Sequence, residues 1–320
     1  MQYLITGGAG FIGSNLAHYL TNNGSQVRVL DDFSTGTWEN LAGIESRIEI
    51  IKGDIRDFDL VKDSVRGVDC VLHLAALASV PLSIKNPIIS NEVNVAGTLN
   101  VLEAARLAQV KKVVFSSSSS VYGEKSKLPV NETAEAAPLS PYAAGKLAGE
   151  NYARVYWQLF RLPTVSLRYF NVYGPKQNPE GDYAAVIPRF IRALENNERP
   201  IVFGNGEQTR DFIHVDDVVQ ANILAATNDD IVGTEYNVAF GRPHSLNQLL
   251  ANLREILDSD IPAEYAKPRR GDIQHSCADI SKLQAHGYQP QVGFRPGLEQ
   301  TVEFFKNEFA AAESNFNTNR

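Results

Sequence analysis

A tyrosine and a lysine, Tyr142 and Lys146, lie four positions apart in this sequence. Residues at this spacing share one face of a helix, so their phenol and ammonium groups can act together. Free tyrosine has a pKa of about 10 and is a poor base at neutral pH, but a fixed positive charge nearby stabilises the phenolate. The serine run upstream, Ser116 to Ser120, follows a strand-like segment and offers a hydroxyl group to a substrate oxygen. Together these residues predict proton abstraction from an alcohol.

Oxidation of an alcohol needs a hydride acceptor, and the N-terminal segment carries a candidate site for one. Gly7, Gly10 and Gly13 form the pattern G-x-x-G-x-x-G directly after the first strand-like run, and Phe11 and Ile12 open the apolar-periodic segment that follows. Glycines at such a turn let the backbone approach a pyrophosphate, which the free N–H groups and the dipole of the following helix stabilise. The pattern alone also fits a glycine-rich turn that binds no ligand.

The residues at later strand ends favour a bound dinucleotide over an empty turn. Asp31 and Asp32 end the second strand-like run, where an acid accepts hydrogen bonds from ribose hydroxyl groups and disfavours the extra phosphate of NADP. Four more residues, at the ends of the third and fourth runs, are expected near the adenine and the second ribose: Asp54, Ile55, Ala75 and Ala76. The sequence therefore predicts NAD as the cofactor.

The elements that must position these residues are a parallel sheet and its helices. From Gln2 to about Val121, β-branched runs alternate with helical patterns, which predicts an α/β fold with a doubly wound parallel Rossmann-type sheet. From about Tyr173 the alternation is lost and proline and glycine residues interrupt the sequence, which indicates a smaller mixed α/β C-terminal substrate lobe. We expect an NAD-binding domain at residues 1–172, a substrate lobe at 173–309 with segments returning to the first domain, and a polar tail, frayed or disordered, at 310–320.

Composition excludes several classes of function. A net charge of −7 without a basic block argues against a nucleic-acid partner, which needs clustered Lys and Arg. The apolar runs are well short of the ~20 residues that span a bilayer, and the N-terminus does not suit a signal peptide, so we expect a cytoplasmic protein with no membrane partner. Cys70 and Cys277 form no disulfide or metal-ligand pattern, and the histidines lie singly, so no metal is expected.

The chain resembles the extended short-chain dehydrogenase/reductases over nearly its whole length, and within that group the UDP-hexose 4-epimerases. Five segments carry the resemblance. The segments are Thr6–Gly13 (TGGAGFIG), Ser117–Gly123 (SSSSVYG), Pro141–Lys146 (PYAAGK), Arg168–Asn171 (RYFN) and Arg210–Val215 (RDFIHV). The resemblance implies that Tyr142 is the base, that Lys146 is its partner and a ribose ligand, and that Ser118 is the hydroxyl donor. It also implies cofactor-pocket positions at Asn94 and Tyr169, and assembly as a homodimer.

The serine run bears on which reaction the resemblance implies. Sugar-nucleotide 4,6-dehydratases carry an Asp-Glu pair, and related decarboxylases a Glu, immediately before Val-Tyr-Gly, where this chain has Ser119 and Ser120. Without that acid the oxidised sugar is expected to be reduced again, which amounts to epimerisation at C4 of a UDP-hexose. The alternatives are a 4-reductase, a UDP-glucuronate 4-epimerase and a non-catalytic NAD-binding relative, since a fold does not imply chemistry.

The resemblance also assigns the contacts with a UDP-sugar. The nucleotide part is assigned to residues in the second half of the chain, Asn171, Phe203, Arg210, Arg269 and Asp272, and a further substrate contact is assigned to Val186. The sugar is assigned to Ser79, Ser118, Ser119, Ser120 and Ser276. Enzymes of this group restricted to glucose and galactose hold a tyrosine at the position of Ser276. A small residue there implies UDP-N-acetylglucosamine as the preferred substrate, with room for UDP-glucose as well.

Two features of the sequence stay open. Apolar periodicity over Asn91–Ala108 and Ala143–Phe160 fits either a homodimer interface or the core of one chain. Gly145 departs from the Ser or Thr that many of the resembling enzymes carry before the lysine, although glycine costs about 1 kcal/mol inside a helix.

Overall fold

The computed structural model describes residues 1–124, 127–179, 185–268 and 273–318, with side chains as far as Phe309. These residues form twelve strands: β1 Gln2–Thr6, β2 Gln26–Asp31, β3 Glu49–Lys52, β4 Cys70–His73, β5 Lys112–Ser118, β6 Thr164–Tyr169, β7 Asn171–Tyr173, β8 Ile201–Phe203, β9 Thr209–His214, β10 Glu235–Val238, β11 Pro243–Ser245 and β12 Glu264–Ala266. They also form eleven α-helices: α1 Phe11–Asn22, α2 Phe58–Ser64, α3 Val80–Lys85, α4 Pro87–Asn91, α5 Thr98–Leu107, α6 Pro141–Phe160, α7 Val186–Glu195, α8 Val215–Thr227, α9 Leu246–Leu257, α10 Ser281–Gln284 and α11 Phe294–Thr318.

The central sheet has seven strands in the order β10-β6-β5-β4-β1-β2-β3, and every neighbouring pair is parallel. The chain builds outward from β1 through β2 and β3, then crosses to β4 and continues in the other direction. The carboxyl ends of β1 and β4 therefore border the crevice where folds of this kind bind their ligands. The predicted doubly wound parallel sheet is confirmed.

Apolar clusters on both faces of this sheet hold it between two layers of helices. On one face, Leu16 and Leu20 of α1 pack with Val218 of α8 against β1 and β4. On the other face, Val101 and Leu102 of α5 join a cluster with α2. All four residues of β4 are buried, as expected for a strand covered on both sides.

The C-terminal lobe has two small sheets, β11-β9-β7 and β12-β8. Its core is formed by apolar side chains of α7, α9 and α11. The chain returns to the first domain between these elements, because α8 packs on α1 and β10 extends the central sheet beside β6.

The end of the chain differs from its expected form. We expected a frayed or disordered polar tail at residues 310–320, but the backbone of α11 continues to Thr318. The sequence Ala-Ala-Ala-Glu at 310–313 consists of strong helix formers, which favours continuation of the helix.

Candidate active site

The helix that carries Tyr142 begins at a point fixed by two serines. Ser140 caps α6 and accepts a hydrogen bond from the N–H of Ala143 at 3.2 Å, and Pro141 takes the first helical position. The N–H of Tyr142 donates to Oγ of Ser83 in α3 at 3.1 Å. Ser83 is fully buried. Sequence reasoning missed it because no local pattern marks a contact between residues 59 positions apart.

Lys146 lies one turn further along α6 and is buried. Its Nζ donates to the carbonyl oxygen of Ser116 at 2.7 Å and lies 5.9 Å from the centre of the Tyr142 ring. Burial lowers the pKa of Lys146 to about 7, and the negative charge of Glu150 acts in the opposite direction. Burial raises the pKa of Tyr142, while a side-chain hydrogen bond with Ser118 lowers it. The phenol is therefore protonated at neutral pH until further positive charge is added beside it.

The serine run divides into a buried part and a part that faces the site. Ser117 is buried and donates to Oε1 of Glu150 at 2.5 Å. Ser118 is half-buried, and its Oγ accepts a hydrogen bond from the N–H of Ser120 at 3.2 Å. The Oγ atom of Ser120 is buried and has no hydrogen-bond partner among the described residues. A buried hydroxyl group without a partner is costly, so it marks a place for a polar ligand atom or a water molecule.

A buried ion pair supports this end of the sheet from behind. Arg168 donates two hydrogen bonds to the carboxylate of Glu150, at 2.8 and 2.7 Å, and a third to the hydroxyl group of Tyr122 at 3.0 Å. The two charged side chains are 4% and 1% exposed. Sequence reasoning included Arg168 only as part of a motif and missed Glu150, although Glu150 follows Lys146 by one helical turn. The pair joins α6 to β6 and supports the site from below.

The glycine-rich turn has the geometry expected for a pyrophosphate site. Gly7 has a φ of +70°, and a Cβ atom there would lie 2.7 Å from the backbone nitrogen of Ala75. A Cβ atom at Gly13 would overlap the carbonyl oxygen of Gly7. Gly10 caps α1 without any side-chain acceptor for its first N–H groups, and half-buried Phe11 and Ile12 follow. These residues fit the diphosphate of a dinucleotide, which would accept the N–H hydrogen bonds.

The two acids at the end of β2 have different surroundings. The Asp31 carboxylate is buried and accepts hydrogen bonds from the N–H groups of Ala9 and Phe33, each at 2.8 Å. Burial raises its pKa, and these two hydrogen bonds act against that rise. Each carboxylate oxygen still has a lone pair for a ribose hydroxyl group. Asp32 is exposed, and its Oδ1 accepts a hydrogen bond from the N–H of Ser34 at 2.9 Å. That either acid binds a ribose stays a prediction.

The residues predicted near the adenine lie at the ends of β3 and β4, as expected. Asp54 forms an ion pair with Arg56 at 2.6 Å, which lowers the pKa of its carboxyl group. Ile55 is buried beside Gly97. Ala75 and Ala76 follow β4, both half-buried.

A buried histidine joins the loop after β4 to the helical layer. Nδ1 of His73 lies 2.7 Å from Oγ1 of Thr6, and Nε2 lies 3.0 Å from Oγ1 of Thr98. The Thr98 hydroxyl group donates to the carbonyl oxygen of Asn94 at 2.8 Å, so it accepts from Nε2 and leaves Nδ1 as an acceptor. Thr6 Oγ1 also accepts the N–H of Ala75 at 3.3 Å. Burial, and secondarily Lys146, lowers the pKa of His73 to about 3, which keeps the imidazole neutral.

Asn94 holds the same loop from the other side. It lies in a π-helical turn, Glu92–Gly97, and its Oδ1 accepts the N–H of Leu77 at 2.8 Å while its Nδ2 donates to the carbonyl oxygen of Leu77 at 3.3 Å. A Cβ atom at Gly145 of α6 would lie 3.0 Å from Cβ of Asn94. Close approach of α6 to this turn therefore explains a glycine that the sequence left unexplained.

Tyr169 lies deeper than a position in the cofactor pocket would suggest. It is 6% exposed, and its hydroxyl group donates to Oδ1 of Asn222 in α8 at 2.9 Å. The phenol hydroxyl group of Tyr169 therefore links β6 to α8 through this hydrogen bond. The family motif alone does not show this contact, because Asn222 lies 53 residues away.

An open groove in the C-terminal lobe contains one of the predicted nucleotide contacts. The groove has a volume of about 880 Å³ and is lined by Phe203, Gly204, Asn205, Gln208, Tyr265, Ala266, Lys267, Pro268 and Gln274. Phe203 is half-buried at the end of β8, so part of its ring surface is accessible to a planar base.

The other predicted substrate residues lie on separate elements. Half-buried Asn171 of β7 is paired with Phe212, two residues from half-buried Arg210 on β9. The remaining described residues of this set are Val186 at the start of α7, Ser79 as the N-cap of α3, and half-buried Ser276, whose N–H donates to the carbonyl oxygen of Thr209 at 3.2 Å. Arg269 and Asp272 lie outside the described residues.

Comparison with known proteins agrees with this geometry. Residues 3–239 match the model of the NAD dependent epimerase/dehydratase family. The chain belongs to this family. It is an enzyme of the short-chain dehydrogenase/reductase superfamily with NAD as its cofactor, as the glycine-rich turn and the strand-end acids predict.

Three family members illustrate the similarity. A protein of Mycolicibacterium smegmatis named UDP-glucose 4-epimerase is 41% identical over 96% of this chain and 99% of its own length. The structure of a UDP-N-acetylglucosamine 4-epimerase from Methanobrevibacter ruminantium M1, in complex with UDP-N-acetylmuramic acid, is 41% identical with a TM-score of 0.93, covering 96% of this chain and 98% of that one. A Thermus thermophilus UDP-glucose 4-epimerase in complex with NAD is 38% identical with a TM-score of 0.88, covering 96% and 99%.

None of the helices in the described ranges has the length and apolar character of a membrane span. Within the same ranges, no three His, Cys, Asp or Glu side chains are grouped so that they could hold a metal ion. The predicted cytoplasmic location stays a prediction.

Proposed function

We propose that this family member catalyses the reversible C4 epimerisation of a UDP-hexose, preferably UDP-N-acetylglucosamine and UDP-N-acetylgalactosamine, with UDP-glucose and UDP-galactose as further substrates. The observation that carries the proposal is the grouping of Tyr142, Ser118 and Lys146 beside the hydroxyl group of Ser120, which has no partner within the described residues. The site has a base, an orienting hydroxyl group and a cation. The two positions before Val121 are serines, which cannot supply the acid that elimination requires.

Each residue of this group has a distinct task in the mechanism. Tyr142 removes the proton of the C4 hydroxyl group, and Ser118, hydrogen-bonded to that phenol, orients the substrate oxygen. Bound NAD supplies the hydride acceptor and, in its oxidised form, a positive charge. Lys146, fixed by its hydrogen bond to the carbonyl of Ser116, adds positive charge beside the phenol and favours its ionised form. Tyr142 later returns the proton after the 4-keto sugar has turned its other face toward the site.

The preference for an N-acetylated sugar rests on Ser276. Its side chain is small, and its backbone is tied to β9 through the carbonyl oxygen of Thr209, so its position relative to Arg210 is fixed. A tyrosine at this position would fill space that an N-acetyl group needs. The similarity to a UDP-N-acetylglucosamine 4-epimerase of known structure supports the same preference.

A homodimer is part of this proposal. Large apolar side chains are exposed along α5 and α6: Leu107 at 49%, Tyr152 at 37%, Val155 at 40%, Leu159 at 71% and Phe160 at 49%. Ile84, Ile88 and Ile89 extend this surface over α3 and α4. Exposed apolar side chains on neighbouring helices favour association, and a symmetric pair would cover them with the same helices of a second copy. The exposed residues of α5 and α6 lie within the two segments whose apolar periodicity allowed an interface, whereas Ile84, Ile88 and Ile89 precede them.

The proposal is tested by incubating purified protein, without added cofactor, separately with UDP-N-acetylglucosamine and UDP-glucose and resolving the products by anion-exchange chromatography. We expect UDP-N-acetylgalactosamine to form at least as fast as UDP-galactose. Ser276→Tyr is expected to reduce turnover of the N-acetylated sugar about 100-fold while UDP-glucose turnover persists. Ser276→Ala is the matched control and should retain both activities. If neither product forms even with NAD supplied, the proposal fails, and UDP-glucuronate is the next substrate to test.

A further inference from the structure

The segment after β2 folds back onto the glycine-rich turn. We call residues 33–41 the cofactor strap. The N–H of Thr37 donates to the carbonyl oxygen of Ala9 at 3.1 Å, and Nδ2 of Asn40 donates to the same oxygen at 2.8 Å. Gly36 packs so closely that a Cβ atom there would lie 2.7 Å from the carbonyl carbon of Ala9. The strap therefore closes on the middle of the turn that fits the pyrophosphate.

A lysine from the other half of the chain holds the strap in this position. Nζ of Lys176 donates to the carbonyl oxygen of Asn40 at 2.7 Å, across 136 residues of sequence. Nε2 of His18 lies 3.0 Å from the same oxygen. The loop that carries Lys176 is itself tied to α1, because Nδ2 of Asn15 donates to the carbonyl oxygen of Pro175 at 3.1 Å. The backbone directly before Lys176 is thus hydrogen-bonded to α1, the helix that begins at the glycine-rich turn.

The backbone of Lys176 supports a specific role for this contact. Its φ is +70°, in the left-handed region that side chains other than glycine seldom adopt. Such conformations persist where the surrounding structure over-determines them, often at ligand clamps. Lys176 is also half-buried, so its hydrogen bond is less weakened by solvent than that of an exposed lysine.

We propose that Lys176 is a positioning residue for the cofactor, acting through Asn40 to keep the strap closed and so to slow the dissociation of NAD. The strap follows Asp31 and Asp32, the predicted ribose contacts, and returns to Ala9 in the glycine-rich turn. It therefore borders both the predicted ribose site and the predicted pyrophosphate site. Opening the strap breaks the hydrogen bonds to Ala9 and the charge-assisted bond from Lys176. An enzyme that regenerates its cofactor in each turnover gains nothing from releasing it.

The experiment measures bound NAD and does not depend on the identity of the sugar. Protein loaded with NAD is freed of excess by desalting and diluted into buffer with an NAD glycohydrolase as a trap. The NAD that stays bound is then extracted with acid and quantified over time. We expect Lys176→Met to release NAD about tenfold faster than the parent protein, and Lys176→Arg, which still donates to Asn40, to release it at nearly the parent rate.

Lys112→Met is the matched control. Nζ of Lys112 also donates to a backbone carbonyl, that of Asn228 at 2.9 Å. Lys112 begins β5, so this contact lies at the amino ends of the strands, opposite the carboxyl ends that border the cofactor crevice. We expect it to release NAD at the parent rate. Equal release from the Lys112 and Lys176 variants, or unchanged release from Lys176→Met, would overturn the proposal.

A second variant keeps the test decisive if Lys176→Met does not fold. Asn40→Ala removes the bond to Ala9 but leaves the carbonyl oxygen that Lys176 holds, and it should also speed release. Where the double variant folds, it should release NAD no faster than the more affected single variant, because both changes open one strap. Unchanged release from Asn40→Ala, or fully additive effects, would count against closure through Asn40. Because bound NAD is the readout, failure here is distinct from failure to epimerise a UDP-sugar.

Discussion

The cofactor half of the site and its sugar-facing end differ in how their polar atoms are satisfied. Around the glycine-rich turn and the loop after β4, His73, Asn94 and Asp31 are buried and hydrogen-bonded within the protein. At the predicted sugar-facing end, the hydroxyl group of Ser120 is buried without a partner among the described residues, and Ser276 is only half-buried. The cofactor half is thus built as part of the core, whereas the predicted sugar-facing end keeps polar groups that a substrate can bind.

The largest effect is expected at the sugar-facing end from Tyr142→Phe. Loss of the phenol hydroxyl removes the base and should reduce kcat about 1,000-fold. The ring remains half-buried, so the midpoint of thermal unfolding and the amount of bound NAD should stay near the parent values. Product formation, thermal unfolding and NAD content are measured on the same preparation. A parallel loss of NAD would show that this residue belongs with the packed half.

Glu150→Gln, in contrast, is expected to affect stability. Glu150 belongs to the packed support of the site. The substitution removes the nearer counter-charge of the buried Arg168 guanidinium, leaving Glu235 at 3.7 Å, and should lower the free energy of unfolding by about 3 kcal/mol. Denaturant titration measures this loss. Glu103→Gln is the control, since Glu103 pairs with Arg106 near the surface and should cost much less. Similar losses in both variants would contradict a special role for the buried pair.

A pH-dependent effect is expected from His73 in the cofactor half. Its pKa is about 3 in the folded chain against an ordinary value of 6.5, so between these values only the unfolded chain takes up the proton. Stability should therefore fall as the pH drops below about 6.5, by up to about 1.4 kcal/mol per pH unit. Comparing denaturant titrations of the parent and His73→Asn at several pH values isolates this slope. Exposed His275→Asn should leave the slope intact, and an unchanged slope in His73→Asn would refute the assignment.

The smallest effect is expected from Ser120→Ala at the sugar-facing end. Its hydroxyl group has no partner to lose within the described residues, so thermal unfolding should be unchanged or slightly improved. If the hydroxyl group binds the sugar, KM should rise about threefold to tenfold. Steady-state kinetics with the better substrate measures this change. A clear loss of stability would show that Ser120 is a structural residue, and the contrast between the two halves would weaken.

Local spacing was sufficient to predict the fold and the main chemical groups of the site. The Tyr142 and Lys146 pair, the glycine-rich turn and the acid at Asp31 can be recognised because each depends on a helix turn or a strand end. The dense polar contacts around them could not be predicted in this way. Ser83, Glu150 and Asn222 act through residues that are distant in sequence or on another element, and no periodic pattern marks such contacts.

The sequence by itself determined the alternation of strands and helices, the order of ligand-facing strand ends and the phenol, ammonium and hydroxyl groups available for chemistry. These follow from local periodicity and from the kinds of side chain present. Only the tertiary structure decided that Tyr169 hydrogen-bonds to α8, that α6 approaches Asn94 closely at Gly145, and that Lys176 donates to the carbonyl oxygen of Asn40. The physical reason is that packing and buried hydrogen bonds depend on which surfaces meet, and residues far apart in sequence contribute those surfaces.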